Sequence, residues 1–352
     1  MEVTIVGAYG YTGQLICKEF DSLGIRYNVA GRNLQDLEEL KNKFSMVSYC
    51  LLLDMIIEDD INTLLSKSDI IVNCAGPFSE ESSLLLEKAA RSGKYYVDIS
   101  GELGFVKNSF EKHQSIAKES NSLIVHACAF ESLIADLVLQ TTSPYESVKT
   151  FYWFNQKSVS PGTKLTMKLS QYHDPLCISE RKWKSFNDGI RFNIRMGEQK
   201  LTAVPYPLPE IAFAKKRTNC KNAHSFLLLD KAEAKYVSNS SKLGGDPITK
   251  LNKLKERKSK GPSPENRALQ RSRIVLEFSF SDGSSIVKTV ENIDMYQTTA
   301  KAIVLAVKTF LKNYEVPRGV ICPATLFKGR ESEALEELSV SPIVISFNRE
   351  SC

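Results

Sequence analysis

The chain has 352 residues, of which 42% are hydrophobic and 25% charged, a globular balance with enough length to bury a sizeable core in one large domain or two. A wholly disordered chain, a collagen-like fibre and a disulfide-stapled miniprotein are excluded. The net charge of +5 is unevenly placed: residues 215–273 hold 16 Lys and Arg against 5 Asp and Glu, and the remainder carries an acidic excess.

Eight cysteines, Cys17, Cys50, Cys74, Cys128, Cys177, Cys220, Cys322 and Cys352, are scattered without a Cys-x-x-Cys pair or the histidine spacing of a zinc site. No metal is expected, and a reduced, cytoplasmic chain is the simplest reading. No basic stretch followed by an apolar signal core opens the sequence, and no apolar run approaches the roughly 20 residues that span a bilayer.

In chain order, the first part alternates β-rich runs with helical stretches. Val3-Thr-Ile-Val6 is followed by a helix from about Gly13, a strand over 26–30, a helix over 36–44 and a strand over 49–54. Further strands are predicted over 69–74, 95–98 and 123–128, with a helix over 82–92 between the first two. Strands joined by helical crossovers imply a doubly wound parallel sheet of the Rossmann type. Beyond Asp136 the pattern becomes antiparallel, with strands predicted over 148–154, 164–169, 273–280 and 285–290. Residues 250–267 are lysine-rich and broken by Gly261-Pro-Ser-Pro264, which reads as a surface loop or frayed helix. A helix over 298–312 places Ala302, Ile303, Leu305, Ala306 and Phe310 on one stripe and is expected to return to the first domain. The fold class is therefore α/β: a dinucleotide-binding domain from 1–128 and 301–352, with a mixed-sheet α+β domain inserted over 129–300.

The most informative stretch is Gly7-Ala-Tyr9-Gly10-Tyr11-Thr12-Gly13, a glycine turn between the first strand and the first helix. A dinucleotide pyrophosphate needs close backbone approach there and free N–H groups at the positive end of a helix. The second strand ends in Gly31-Arg32-Asn33, with no acidic residue to hold ribose hydroxyls. Arg32 can fork onto a 2′-phosphate, which favours NADP(H) over NAD(H). Asp54 ends the third strand and either meets the adenine edge or caps a helix. Cys74-Ala75-Gly76-Pro77 follows the fourth strand on the edge where ligands collect in such sheets, either under the nicotinamide ribose or as a structural turn.

These segments, together with Tyr96-Val-Asp-Ile-Ser-Gly-Glu102, Ala129-Phe-Glu-Ser-Leu-Ile-Ala-Asp-Leu137, Gly261 to Arg267, Tyr296-Gln-Thr-Thr-Ala300 and Gly319-Val-Ile-Cys-Pro-Ala324, resemble the saccharopine dehydrogenase-like oxidoreductases, in the branch that includes bacterial trans-acting enoyl reductases. The resemblance implies a Rossmann domain with a mixed-sheet insertion and reduction by NADPH, either of a C=C bond in an acyl chain, carrier-bound or free, or of a C=N bond. One segment departs from the branch, which usually reads Gly-Phe-Asp-Ser-Ile-Pro where this chain has Ala129, Glu131 and Ile134 at the first, third and last positions.

Hydride transfer needs a proton donor beside the acceptor carbon. The candidate donors are Tyr96, Asp98, Ser100 and Glu102 at the end of the fifth strand and His126, Glu131, Ser132 and Asp136 at and beyond the sixth, with Tyr96, Glu102 and Glu131 put first. Strand alternation lets Tyr96 and Asp98 face the cleft together. His126 reads more simply as a satisfied core histidine. The alternative function is a non-catalytic NADP-binding sensor or scaffold docking through the basic segment. A homodimer is left open, peripheral lipid contact is compatible with the basic region, and no nucleic-acid partner is expected.

Overall fold

The computed structural model describes residues 1–79, 83–155, 159–160, 162–163, 176–186, 191–217, 220–240, 261–312 and 315–349. The chain folds into two compact units, the first made of residues 1–133 and 296–338 and the second of residues 134–295 and 339–352.

In the first unit, β1 (Val3–Val6) is buried along its whole length, as a strand covered on both faces must be. Its one polar side chain, Thr4, shares a hydrogen bond with Ser68 Oγ at 2.6 Å. The chain continues through α1 (Tyr11–Ser22), β2 (Tyr27–Gly31), α2 (Leu34–Lys43), β3 (Val47–Leu52), α3 (Glu58–Ser66), β4 (Ile70–Asn73), α4 (Ser83–Arg91), β5 (Tyr95–Asp98), α5 (Leu103–Lys112), α6 (Gln114–Glu119) and β6 (Leu123–Val125), and leaves the unit within α7 (Phe130–Thr142). A seventh strand, Gly319–Ile321, pairs with β6. The sheet order is Gly319–Ile321, β6, β5, β4, β1, β2, β3, all parallel. Strand order therefore reverses at β1, and the crevice at the carboxyl ends of β1 and β4 is the topological switch point where such sheets take ligands.

The helix Met295–Leu311 buries Ala302, Ile303, Ala306 and Phe310; all of it except Met295 belongs to the first unit. The final strands depart from the sequence reading, which placed 301–352 in the first domain. Val340–Ile343 pairs with Ser285–Asn292 and Phe347–Arg349 with Phe192–Met196, so these strands complete the second unit's sheet.

That sheet is mixed, running Val340–Ile343, Ser285–Asn292, Ser272–Ser279, Ser147–Phe154, Asn222–Leu229, Gln199–Pro205, Phe192–Met196, Phe347–Arg349, with a hairpin of Leu176–Ser179 and Lys182–Ser185 alongside. Among the described residues its one parallel pairing joins Ser147–Phe154 to Asn222–Leu229. The core gathers Phe151, Phe226, Val275 and Ile194, with Phe151 and Phe226 stacked at 5.2 Å between centroids. Each such ring contributes roughly 1.5–3 kcal/mol by leaving water. The strand expected over 164–169 lies outside the described residues, as does most of the expected loop over 250–267. Its described end includes the short helix Pro264–Ala268, capped by Ser263, in line with the helical alternative, but it is not wholly a surface segment, since the buried Arg267 pairs with Asp294 at 2.9 Å.

Candidate functional site

The glycine turn sits at the carboxyl end of β1, held by hydrogen bonds from Gly7 N–H to Ala30 O and from Gly10 N–H to Gly7 O. Gly7 has φ +74°, a left-handed conformation, and a Cβ there would lie 2.9–3.0 Å from Ala75. A Cβ on Gly13 would lie 2.5 Å from the carbonyl oxygen of Gly7 and 2.8 Å from that of Ala8. The turn is therefore compressed against β4's loop on one side and α1 on the other, and only hydrogen fits at both positions. No side chain caps α1 and no acidic residue occupies its first turn, so the positive end of the helix is left to an anion. These observations fit a dinucleotide: the cradle admits the close backbone approach that a pyrophosphate requires.

The structure brings most of the expected cofactor residues together around this turn. Tyr9, Gly31 and Arg32 meet at the end of β2, where Arg32 N–H donates to Tyr9 Oη at 3.2 Å. Arg32 is exposed, and among the described residues its guanidinium has no ion-pair partner. Cys74 and Ala75 border the turn from β4: Cys74 N–H donates to Val6 O, and Ala75 N–H to Asn73 Oδ1 at 3.0 Å. Gly76 and Pro77 follow in the same loop. Tyr11 places its ring edge-on to Tyr296 at 4.9 Å, and Thr12 lies beside it in the first turn of α1.

Two expected cofactor residues have local structural tasks. Asn33 Oδ1 accepts the N–H groups of Gln35 and Asp36 and so caps α2. Asp54 Oδ1 accepts the N–H of Ile56 in the turn ahead of α3; the N-cap of that helix is Ile57, with no side-chain cap, so Asp54 braces the turn and does not cap the helix.

The three proton-donor candidates separate. Tyr96 does not face a cleft: it is fully buried, Asn73 Nδ2 donates to its hydroxyl at 3.0 Å, and burial followed by the Asp98 charge pushes its pKa up. Tyr96 and Asp98 do lie together, both against His126 just beyond β6, but α5 reaches the same histidine through Phe105 and Ser109, so the pair is enclosed. Glu102 works as a brace, accepting the N–H of Phe78 through Oε1 at 3.3 Å and that of Gly101 through Oε2 at 2.9 Å. Glu131 lies in the first turn of α7, partly buried. Desolvation outweighs the lowering by its own backbone N–H and pushes its carboxyl up to about 7.

Asp98 and His126 form a buried array that sequence reasoning only half anticipated. His126 Nδ1 contacts Asp98 Oδ2 at 2.7 Å and its Nε2 contacts Ser109 Oγ at 2.7 Å. Asp98 Oδ1 also accepts from Ser100 Oγ, Ser100 N–H and Ala127 N–H. Burial raises the Asp98 carboxyl, but the His126 charge and these hydrogen bonds together hold it below its ordinary value. Asp, His and Ser in this order resemble a nucleophilic array, yet Asp98 and His126 are fully buried and Ser109 is 1% exposed, so no solute reaches the hydroxyl. The array ties the end of β5 and α5 to the segment that follows β6. Ser109 was missed because nothing in its own helix marks it. In the second unit, Asp136 is fully buried and paired with Arg217, and it too is unavailable to a substrate.

Among the described residues, no group of three or more His, Cys, Asp and Glu side chains could hold a metal ion, and no helix is long and apolar enough to cross a membrane. The seven described cysteines are unbridged.

The parallel sheet, its switch point and the compressed glycine turn define a Rossmann-type α/β protein carrying a second, mixed-sheet unit. One solved neighbour, apo saccharopine dehydrogenase (L-Glu forming) from Saccharomyces cerevisiae, is 11% identical with a TM-score of 0.64 and covers 99% of this chain and 100% of its own; that likeness shows the fold. No protein-family model matches the chain. By sequence the chain is homologous to proteins named saccharopine dehydrogenase-like oxidoreductase and trans-acting enoyl reductase. The rat saccharopine dehydrogenase-like oxidoreductase is 23% identical over 64% of this chain and 56% of its own length. A trans-acting enoyl reductase of Mycobacterium ulcerans is 26% identical over 39% and 34%. The lipid droplet localized protein of Caenorhabditis elegans is 27% identical over the same shares, 39% and 34%. The matched stretch thus spans about a third to just over half of these relatives' lengths.

Proposed function

We propose that this chain is an NADP(H)-dependent oxidoreductase that reduces a C=C bond of an enoyl chain, free or carrier-bound, or a C=N bond of an imine. The observation that carries the reading is the cradle at Gly7 and Gly13, where added Cβ atoms would meet their neighbours at 2.5–3.0 Å, beneath an uncapped helix N-terminus. Gly7, Gly10 and Gly13 with the first turn of α1 would hold the pyrophosphate, Arg32 the 2′-phosphate, and residues 74–77 would border the nicotinamide ribose. When bound, the cofactor supplies a hydride to an electron-poor carbon.

The protein's own share is orientation and a proton. With its carboxyl at about 7, Glu131 is near half-protonated at neutral pH, the condition a general acid needs. Names among the relatives support the enoyl arm, and the saccharopine dehydrogenase fold supports the imine arm. We keep the cytoplasm as its location; recovery in a lipid-droplet fraction, as the name of the C. elegans relative would suggest, would overturn this.

The test is NADPH consumption followed by absorbance on adding enoyl thioesters or aldehyde and amine pairs. Turnover with either class is expected. Tight NADPH binding with no turnover on any of them would replace the reading with a nucleotide-binding sensor or scaffold.

A further inference from the structure

The end of β2 holds an arrangement that the glycine turn does not require. Tyr9 lays its ring directly on Gly31: a Cβ there would lie 2.5 Å from Cε1, 3.1 Å from Cζ and 3.2 Å from Oη. Gly31 has a negative φ, so its lack of a side chain serves this contact and not a backbone conformation. The ring is fixed at its far end, where Oη accepts the Arg32 N–H at 3.2 Å. A phenol that accepts one hydrogen bond still has its own proton to donate, and among the described residues no acceptor takes it.

Three backbone donors nearby are already taken. Asn33 Oδ1 already holds the N–H groups of Gln35 and Asp36, so the positive end of α2 is capped by the protein itself, and the Arg32 N–H is held by Tyr9. Three side-chain donors remain at the end of β2: the Arg32 guanidinium, exposed and without an ion-pair partner among the described residues, the exposed Asn33 Nδ2 amide, and the Tyr9 hydroxyl, which alone of the three is fixed by a hydrogen bond, beside the Arg32 backbone. A fixed hydroxyl next to a free guanidinium is suited to a phosphate monoester, to which both can donate charge-assisted hydrogen bonds.

We propose that Tyr9 is a specificity-determining residue that reads the ribose 2′-phosphate through Oη beside Arg32, so that preference for NADP(H) over NAD(H) depends on the hydroxyl as well as on the arginine. This rests on the nucleotide reading above. Tyr9→Phe keeps the ring on Gly31 and removes only the hydroxyl. Titration calorimetry with NADPH, NADH, 2′,5′-ADP and 5′-AMP is the experiment.

For Tyr9→Phe, affinity for NADPH and 2′,5′-ADP is expected to fall roughly ten-fold or more, and affinity for NADH and 5′-AMP by less than about three-fold. In Gly31→Ala the methyl displaces the ring, and the same selective loss is expected. An equal loss for the phosphorylated and unphosphorylated ligands would reduce Tyr9 to a prop for the turn and overturn the proposal, as would no loss for either. A wild-type protein that binds NADH as tightly as NADPH would overturn it while leaving nucleotide binding intact. Binding of none of the four ligands would instead remove the nucleotide reading itself, and this inference with it.

Discussion

Glu131 offers a direct check of the electrostatics. Its carboxyl titrates at about 7 in the folded chain, against 4.5 for an ordinary glutamate. Between those two pH values the native state keeps a proton that the unfolded chain has released, so stability is full below 4.5 and declines as pH rises through 7. The slope is about 1.4 kcal/mol per pH unit, which over this interval reaches about 3 kcal/mol, and partial exposure to water trims it to about 2. In Glu131→Gln nothing ionises at this position. The variant should match the wild type at pH 5 and exceed it by about 2 kcal/mol at pH 8. Urea unfolding at pH 5, 6, 7 and 8 reads this as a rising difference in midpoint at constant m-value. Parallel stability profiles for the two proteins would show that water solvates this carboxylate freely, and would refute both the desolvation argument and the case for Glu131 as a proton donor.

Three further outcomes are expected. His126→Ala leaves the Asp98 carboxylate buried without its partner and should cost about 3–5 kcal/mol in chemical denaturation, whereas Ser109→Ala should cost about 1–3 kcal/mol; a smaller effect for His126 than for Ser109 would contradict the charge assignment. Gly13→Ala sets a methyl against the carbonyl oxygens of Gly7 and Ala8, and should cost about 1–3 kcal/mol by thermal unfolding along with most of the NADPH affinity; unchanged nucleotide binding would separate the turn from the cofactor. Arg32→Ala should weaken NADPH much more than NADH in equilibrium titration, and equal losses would remove the preference for the phosphorylated coenzyme.

The first unit was legible where a buried strand is a short apolar run flanked by turn residues, as in β1, β4 and β6. It was less so for α3, whose buried stripe is only Ile61, Leu64 and Leu65, and for α5 and α6, which break at His113 and offer no single long period. In the second unit, Asn222–Leu229 was missed because three consecutive leucines carry neither a helical nor an alternating period, although the strand lies at the centre of its sheet. The edge strand Gly319–Ile321 is three residues long, and only its pairing with β6 identifies it. The glycine turn between β1 and α1 could be read because its geometry is carried by local spacing. The proton-donor candidates could not be sorted, since Tyr96, Glu102 and Glu131 differ in what covers them and not in their sequence neighbours. Arg267 illustrates the same limit, lying in a polar, proline-broken stretch and yet buried against Asp294.

The path of the chain between the two units governs how the molecule can be built. It leaves the first unit after Leu133, rejoins it at Tyr296 and leaves again after Leu338. On a ribosome, the parallel sheet therefore waits with β6 unpaired on one side while the whole inserted unit is synthesised, and the second sheet waits still longer for Val340–Ile343 and Phe347–Arg349. Closing such distant pairings carries a large loop-entropy cost and leaves apolar strand edges exposed during synthesis. Premature termination between β6 and Gly319 would release a first sheet whose edge is the apolar, fully buried β6 in place of the short Gly319–Ile321, the kind of surface that chaperones and proteases engage.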